Sequence, residues 1–271
     1  MSAIEERFPR PSVMGVVNVT PDSFSDGGVN FRPGDAIASA RRMVEEGAAI
    51  VDIGGESTRP GADAVSPDEE LRRVVPVLEE LGGAVPVSID TAKAEVARRA
   101  IELGAELVND VTALRGDPGL AEVVASSGAY LCLMHMQGEP RTMQDSPTYE
   151  DVAAEVASFL EQRLAFAVDA GIPEERICLD PGFGFGKTVE QNFDLLGRLG
   201  QIVALGRPVL VGLSRKRSLG RILGDPDATA GPLSASLAAA VEAYDRGAAI
   251  FRVHDVREHV EALTVAAAVP R

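Results

Sequence analysis

The sequence of 271 residues has little of what disulfide scaffolds or nucleic-acid-binding proteins require. Its only cysteines, Cys132 and Cys178, lie in apolar runs, which is typical of buried thiols in a reducing compartment. Lys and Arg together number 26 against 41 Asp and Glu, so the formal net charge is −15. This balance argues against a broad surface for nucleic acid or anionic membrane, because both need an excess of positive charge.

Long apolar segments are also missing. No stretch approaches the roughly 18 apolar residues of a transmembrane helix, and the polar, acidic start has no apolar core of a signal peptide. We therefore expect a cytoplasmic, soluble protein. Because no low-complexity linker or change of composition divides the chain, we expect a single barrel domain over residues 12–271, after an N-terminal extension over residues 1–11.

Short apolar runs, each ending in a polar residue, recur along the chain and are typical of parallel strands buried on both faces. The predicted strands are Val13–Asn18, Ile50–Asp52, Val85–Asp90, Leu107–Asp110, Tyr130–His135, Ile177–Asp180, Val209–Ser214 and Ile250–His254. Helical patterns lie between them: Asp35–Gly47, Asp68–Leu81, Lys93–Leu103, Asp151–Gly171 and Leu233–Tyr244. This alternation favours an α/β fold of the TIM (β/α)8 barrel type over an open doubly wound sheet, and no GxGxxG follows the first strand.

Polar residues close the predicted strands, and in a barrel the carboxyl ends of the strands share one rim. They are Asn18, Asp52, Asp90, Asn109, Asp110, His135, Asp180, Ser214, Arg252 and His254. A single Asp at a strand end is more often the N-cap of the next helix than a catalytic group. So many polar residues on one rim nevertheless predict that all of them face one pocket.

The acceptors among them suggest a ligand class. Asp90, Asn109 and Asp180 suit a flat heterocycle with N–H donors, because a carboxylate can accept two parallel N–H bonds. A metal cage is the competing interpretation of the carboxylates, but His and Cys ligands at metal-binding spacings are missing.

A basic cluster follows the last two predicted strands, where barrels commonly bind phosphate. Arg252 and His254 are two residues apart on one strand, so their side chains point to the same face, and Lys216 lies after the preceding strand. An anion site is the functional interpretation. A solvated helix start paired with acidic residues is the alternative, and it is favoured for Arg217.

Eight motifs in the loops and strand ends carry a family resemblance. They are NVTPDSFSDGG (Asn18–Gly28), GGESTRPGA (Gly54–Ala62), SIDT (Ser88–Thr91), NDV (Asn109–Val111), LMHMQGEPRTMQ (Leu133–Gln144), DPGFGFGKT (Asp180–Thr188), SRK (Ser214–Lys216) and RVHDV (Arg252–Val256). These motifs occur in the family's order, and the chain resembles the dihydropteroate synthases over nearly its whole length. Three positions depart from the family's common pattern: Ala113, Ser218 and Pro232.

The resemblance implies an α/β barrel that joins 6-hydroxymethyl-7,8-dihydropterin diphosphate to 4-aminobenzoate, with Mg²⁺ assisting the departure of diphosphate. It implies pterin binding by Asp90, Asn109, Asp180, Phe185 and Lys216. It implies diphosphate binding by Asn18, Arg252 and His254, with Asn18 as the metal ligand. It implies aminobenzoate binding by Thr58, Arg59, Pro60, Ser214 and Lys216, and a catalytic set of Asn18, Asp22, Lys216, Arg252 and His254.

Two alternatives share the barrel: a non-catalytic pterin-binding paralogue and a pterin-dependent methyltransferase domain. The first loop and the RVHDV segment favour the synthase over the methyltransferase, which needs no diphosphate site. The alanine-rich helix Leu233–Tyr244 suggests a homodimer, or else a helix that merely covers the barrel. We also expect the protein to bind small-molecule substrates and to have no nucleic-acid or membrane partner.

Overall fold

A computed structural model describes residues 2–20, 32–57, 63–138 and 142–270 of the protein. Within these ranges eight parallel strands form one sheet in the order β6-β5-β4-β3-β2-β1-β8-β7. The strands are β1 (Ser12–Asn18), β2 (Ile50–Gly54), β3 (Val87–Asp90), β4 (Leu107–Asp110), β5 (Tyr130–Met134), β6 (Ile177–Asp180), β7 (Leu210–Val211) and β8 (Ile250–Val253). A bridge between Leu179 and Val209 joins β6 to the start of β7 and closes the sheet into a barrel.

Helices surround the strands and connect them. They are α1 (Ile4–Arg7), α2 (Pro33–Glu45), α3 (Pro67–Leu81), α4 (Ala94–Glu102), α5 (Leu120–Ser127), α6 (Val152–Asp169), α7 (Val189–Gly197), α8 (Gly200–Val203), α9 (Arg217–Ile222), α10 (Leu233–Asp245) and α11 (Val256–Ala268), with a 3₁₀ turn at Glu174–Arg176. In the described part of the chain, none of the helices combines the length and apolar character that crossing a bilayer requires.

Local sequence signals account for the helix starts. Proline occupies the first turn of α2 and α3, where its missing N–H costs no intrahelical bond. The Ser66 hydroxyl accepts a hydrogen bond from the Glu69 N–H at the start of α3. Thr188 and Gln191 form a capping box that begins α7.

Alternation along the strands divides the protein into two apolar layers. Val51 and Ile53 of β2 face outwards and pack with the helices in the larger core. Ile50, two residues before Asp52, points into the barrel with Met14 and Leu107 in a smaller cluster at the amino-terminal end. The same alternation places Asp52, Asp90, Asn109, Asp180 and Arg252 inside the barrel, above that cluster.

The first residues close the amino-terminal end of the barrel. Ile4 of α1 and Phe8 are fully buried in the inner cluster, and the Phe8 ring lies 5.7 Å from that of Tyr130 in an edge-on contact. The inner cluster also contains Cys132 and Cys178, which are neighbours across β5 and β6 and are both free thiols. Burial of both cysteines is therefore confirmed.

The predicted architecture is confirmed: the chain is a single-domain α/β barrel with eight strands at the predicted places. The main difference concerns β7, which was expected to run over Val209–Ser214 but has regular pairing only at Leu210–Val211. Regular pairing ends at Val211, and the residues that follow it lead into the SRK segment. The boundary between residues 11 and 12 stays a prediction, although β1 begins at Ser12.

Candidate functional site

A pocket opens at the carboxyl ends of the strands. It is lined by Asp90, Asn109, Val111, Met134, Asp180, Phe183, Phe185, Gly212, Lys216 and Arg252. Six of these residues belong to the predicted site: Asp90, Asn109, Asp180, Phe185, Lys216 and Arg252. The strand register brings the two carboxylates to the same end of the barrel. Asp90 is paired with Asn109 across β3 and β4, and Met134 is paired with Asp180 across β5 and β6.

The two pocket carboxylates are buried. Asp90 and Asp180 are 7% and 6% exposed, and burial raises the pKa of Asp90 to about 7 and that of Asp180 to about 6. The Asp180 carboxylate accepts one hydrogen bond, from the Gly182 N–H at 2.7 Å. A buried carboxylate with spare acceptor capacity is suited to a ligand that presents N–H donors.

Arg252 links β8 to the acidic side of the pocket. Its Nε donates to Asp52 at 2.6 Å and its Nη2 to Asp90 at 2.8 Å. Burial alone would lower the pKa of Arg252, but the neighbouring Asp52 and Asp90 carboxylates outweigh burial and raise it. The guanidinium therefore stays charged inside the barrel.

Lys216 closes the opposite side of the pocket. Its Nζ lies 4.3 Å from the centre of the Phe185 ring, in a cation–π contact. Gly184, with a φ of +79°, allows this packing because a Cβ there would lie 3.1 Å from Lys216 Cδ. Burial, followed by the charge of Arg252, lowers the pKa of Lys216 to about 8.

The SRK segment is fixed by the helices that follow β7 and β8. Arg215, which has a positive φ of 55°, pairs through its guanidinium with Asp255. Its backbone N–H donates to the Ser236 hydroxyl of α10 at 3.0 Å. These contacts hold Ser214 on one side of Arg215 and Lys216 on the other.

His254 lies beside Ser214 at the end of β8. The Ser214 hydroxyl accepts from the His254 backbone N–H at 3.2 Å and lies 3.3 Å from His254 Nδ1. Burial, and next the charge of Arg252, lowers the pKa of His254 to about 3. His254 is thus a neutral imidazole that can donate or accept a hydrogen bond, while the positive charge nearby belongs to Arg252.

Asn18 ends β1 on the same rim as these groups. A Cβ on the neighbouring Gly54 would lie 3.6 Å from Asn18 Oδ1 and 3.7 Å from Asp90 Oδ2. Both oxygens therefore lie close to one point beside Gly54. Asn18, Ser214 and His254 lie on the rim but do not line the pocket itself.

The expectation that all the strand-end residues share one pocket is wrong: Asn18, Asp52, Ser214 and His254 lie beside the pocket, and Asp110 and His135 turn away from it. Each of the last two directly follows an inward residue, Asn109 or Met134, so strand alternation turns it outwards. Asp110 accepts from the backbone N–H groups of Thr112 and Leu114 at 2.8 and 2.6 Å.

This buried carboxylate stabilises an unusual loop backbone. Ala113 and Leu114 have positive φ values of 53° and 61°, in the region that favours glycine. Arg163 of α6 also donates to the Ala113 carbonyl at 2.7 Å. These bonds account for an alanine at position 113, where the family frequently has glycine.

Four predicted residues lie outside the described residues: Asp22, Thr58, Arg59 and Pro60. The chain on either side of the last three is anchored, because the Glu56 carboxylate accepts from the Val65 N–H at 3.0 Å. Glu56 and the fully buried Glu70 both accept from Lys93 Nζ.

Four pocket residues were not predicted: Val111, Met134, Phe183 and Gly212. Alternation could have found Met134 and Gly212, which share the inward face with the residues two positions away. Val111 and Phe183 lie in irregular segments beyond the strands, where sequence periodicity gives no direction.

Comparison with known proteins decides the family. The family model described as "Pterin binding enzyme" matches residues 14–254. The dihydropteroate synthase of Escherichia coli (strain K12) is 50% identical over 260 residues, which cover 94% of this chain and 90% of the relative. The chain belongs to the pterin-binding enzyme family.

Solved structures place it within that family, among the dihydropteroate synthases, which are transferases. A structure of the Xanthomonas albilineans dihydropteroate synthase with 4-aminobenzoic acid matches with a TM-score of 0.87 and 51% identity, covering 97% of this chain and 95% of that one. The complex of that enzyme with 7,8-dihydropteroate matches with a TM-score of 0.83 and 48% identity, over 97% and 95% of the two chains.

Proposed function

We propose that the protein condenses 6-hydroxymethyl-7,8-dihydropterin diphosphate with 4-aminobenzoate to give 7,8-dihydropteroate and diphosphate. The observation that carries this proposal is one pocket with three buried acceptor side chains on one side and two cations at its edge. The acceptors, Asp90, Asn109 and Asp180, match the N–H groups of an aminopyrimidinone ring. The cations, Lys216 and Arg252, match the ring oxygen and the departing anion.

The first step breaks the bond between the pterin methylene carbon and the diphosphate oxygen. The bonding electron pair leaves with diphosphate, so negative charge grows on the leaving group and positive charge on the pterin. Arg252, which stays charged at every working pH, stabilises the departing anion, and Lys216, which is mostly protonated below pH about 8, donates to the ring oxygen. The neutral His254 contributes a hydrogen bond.

The second step forms the carbon–nitrogen bond. The lone pair of the aryl amine attacks the cationic methylene, and the amine then loses one proton to water or to the released diphosphate. A weakly basic amine needs positioning more than a strong base. We propose that Ser214 and Lys216 take part in this positioning, together with Asp22, Thr58, Arg59 and Pro60 of the loops after β1 and β2.

The residues present fit a Mg²⁺ that is carried by the substrate. Among the described residues, no group of three or more His, Cys, Asp or Glu side chains could hold a metal ion. Asn18 Oδ1 supplies one oxygen beside Asp90, and Mg²⁺ commonly combines few protein oxygens with water and substrate phosphates. Mg²⁺ held there would neutralise charge on the leaving diphosphate.

We also propose a homodimer through the face formed by α9, α10 and α11. Leu223 and Val265 are 64% and 68% exposed, and Ile222 and Val269 are 57% exposed. These exposed apolar residues follow or belong to the last helices, and burial of such side chains is a common driving force of association. Light scattering after size-exclusion chromatography is expected to give a dimer for the wild type and a monomer for Leu223→Glu; Phe166→Glu, which changes an exposed apolar residue on α6, should remain dimeric.

The cytoplasm is the proposed compartment, supported by two free thiols in the interior. Fractionation of cells that produce the protein would test this, and recovery with the periplasmic or membrane fraction would contradict it.

The decisive experiment measures diphosphate release by the purified protein with the pterin diphosphate and Mg²⁺, with and without 4-aminobenzoate. Release that depends on 4-aminobenzoate, with 7,8-dihydropteroate as product, is the expected result. Tight pterin binding without release would instead indicate a non-catalytic paralogue. Methyl transfer from a methylated tetrahydrofolate to a corrinoid acceptor would indicate the methyltransferase.

A further inference from the structure

Asp52 is a buried carboxylate that the proposed reaction does not use. It is fully buried in the middle of β2 and does not line the pocket. Its Oδ2 accepts two hydrogen bonds, from Asn109 Nδ2 at 3.0 Å and from Arg252 Nε at 2.6 Å. Both donors belong to residues that do line the pocket, so Asp52 lies one layer beneath the ligand and contacts it only through others.

The contact with Asn109 decides which end of the amide faces the ligand. An amide has a donor end and an acceptor end, and their positions can exchange by rotation. Because Asp52 accepts from Nδ2, the Oδ1 acceptor of Asn109 is directed away from Asp52. A ligand with N–H donors requires this orientation.

The contact with Arg252 leaves one end of the guanidinium free to change partner. Nε is held by Asp52, whereas Nη2 donates to Asp90 at 2.8 Å. Asp90 is an acceptor that a bound pterin requires, so the ligand and Arg252 compete for it. With Nε held, the guanidinium can release Asp90 and still remain at the edge of the pocket.

We propose that Asp52 is a positioning residue that fixes the acceptor end of Asn109 towards the pterin and anchors Arg252 while its outer nitrogens pass from Asp90 to the leaving diphosphate. No covalent step involves Asp52. The inference rests on the proposed reaction. It predicts that Asp52 affects turnover through Arg252 and pterin affinity through Asn109.

The test is a pair of double-mutant cycles with Asp52→Asn, which keeps the shape of the side chain and removes its charge. We expect kcat for diphosphate release, measured at saturating pterin diphosphate, to fall about 100-fold in Asp52→Asn, a loss comparable to that from a small misplacement of reacting groups. Arg252→Ala alone should lose most turnover and keep pterin binding. Adding Asp52→Asn to Arg252→Ala should change the remaining turnover by less than about threefold, because the two changes remove one shared interaction.

The second cycle measures the dissociation constant of 6-hydroxymethyl-7,8-dihydropterin by calorimetry. Asp52→Asn should weaken binding in the wild-type background and have little further effect in Asn109→Ala. The double variant Asp52→Asn with Asn109→Asp exchanges the two side chains and keeps one carboxylate and one amide. It should therefore recover most of the affinity for the pterin. This variant also serves if Asp52→Asn alone fails to fold.

Glu70→Gln is the matched control, because Glu70 is an equally buried carboxylate whose partner is Lys93. The inference would be overturned if the fold-losses of the single variants multiplied fully in the double variants of both cycles. It would also be overturned if Glu70→Gln lost turnover in the same proportion to its fall in melting temperature as Asp52→Asn does. In either case Asp52 would be a structural residue. A wild type without diphosphate release would refute the proposed reaction instead, and the pterin cycle would still test the contact with Asn109.

Discussion

Lys187 Nζ lies 3.0 Å from Nδ1 of His135, in the layer between the barrel and its helices. The same ammonium donates to the carbonyls of Gly182 and Phe185 at 2.9 and 3.1 Å, so it holds the glycine-rich loop that carries Phe185 into the pocket. Burial, and next the charge of Lys187, lowers the pKa of His135 to about 2, which leaves Nδ1 free to accept. Burial also lowers the pKa of Lys187 to about 7.

This lowered pKa predicts how stability depends on pH. Above pH about 7 the folded protein releases the Lys187 proton while the unfolded chain, with an ordinary lysine pKa, keeps it. The contribution of Lys187 to the free energy of unfolding therefore rises with pH. Between about pH 7 and about pH 8, where unfolded cysteine is still mostly protonated, urea titrations should show a smaller rise for Lys187→Met than for the wild type.

Lys93→Met combined with Glu70→Gln, which also removes the buried carboxylate that pairs with Lys93, is the control for that measurement. Burial would lower the pKa of Lys93, but Glu56 and Glu70 outweigh it and raise the pKa, so its loss should not flatten the slope in this range. Equal slopes for Lys187→Met and the wild type would contradict the assignment.

Gly182→Ala is expected to destabilise the protein by at least about 2 kcal/mol, because backbone strain of this kind costs about 1–3 kcal/mol before any clash. Gly182 has a φ of +68°, and a Cβ there would lie 1.9 Å from the His135 carbonyl oxygen. Chemical denaturation measures the loss. Gly197→Ala, where a Cβ would meet nothing within 4 Å, should leave the stability nearly unchanged, and equal stabilities for the two variants would refute the prediction.

Asp180→Asn is expected to weaken binding of 6-hydroxymethyl-7,8-dihydropterin by about 10-fold to 100-fold, which corresponds to the loss of a hydrogen bond to a charged group. The amide presents a donor where the carboxylate presents an acceptor, so one N–H of the ligand loses its partner. Calorimetry measures the change, with Asp194→Asn, on the exposed side of α7, as the control. Unchanged affinity would remove Asp180 from the pterin site.

The pH profile of kcat/KM should be bell-shaped. Protonation of Asp180 at pH about 6 and Asp90 at about 7 turns acceptors into donors, so activity should rise through this range. Loss of the Lys216 proton above pH about 8 removes a cation, so activity should then fall. Lys216→Arg should abolish the falling limb, and a limb that persists in this variant must arise from another group.

Chelation should stop turnover without unfolding the protein. In the proposed Mg²⁺ site Asn18 contributes one oxygen, which cannot by itself retain the ion, so we expect the metal to arrive with the diphosphate. EDTA is expected to abolish diphosphate release and leave the melting temperature unchanged, and added Mg²⁺ should restore activity. A large fall in melting temperature on chelation would indicate a structural metal.

Four of the pocket residues could be predicted from the sequence because they lie at or next to the carboxyl ends of strands. Asp90, Asn109, Asp180 and Arg252 follow apolar runs, and parallel strands bring their carboxyl ends to one rim. Strand alternation would also have excluded His135 and Asp110, because each follows an inward residue. The exact position of each side chain along the barrel axis depends on the register between neighbouring strands, which a single sequence does not reveal.

The sequence alone determined the barrel, through the repeated alternation of buried strands and amphipathic helices, and it determined which residues reach the rim. Only the tertiary structure decided how those residues are paired. Asp52 and Arg252 are 200 positions apart and meet because β1 pairs with both β2 and β8, which brings these two strands within reach of each other. Lys187 and His135 meet because a positive-φ loop folds back over β5. Such contacts depend on distances across the folded barrel, and local patterns of hydrophobicity contain no information about them.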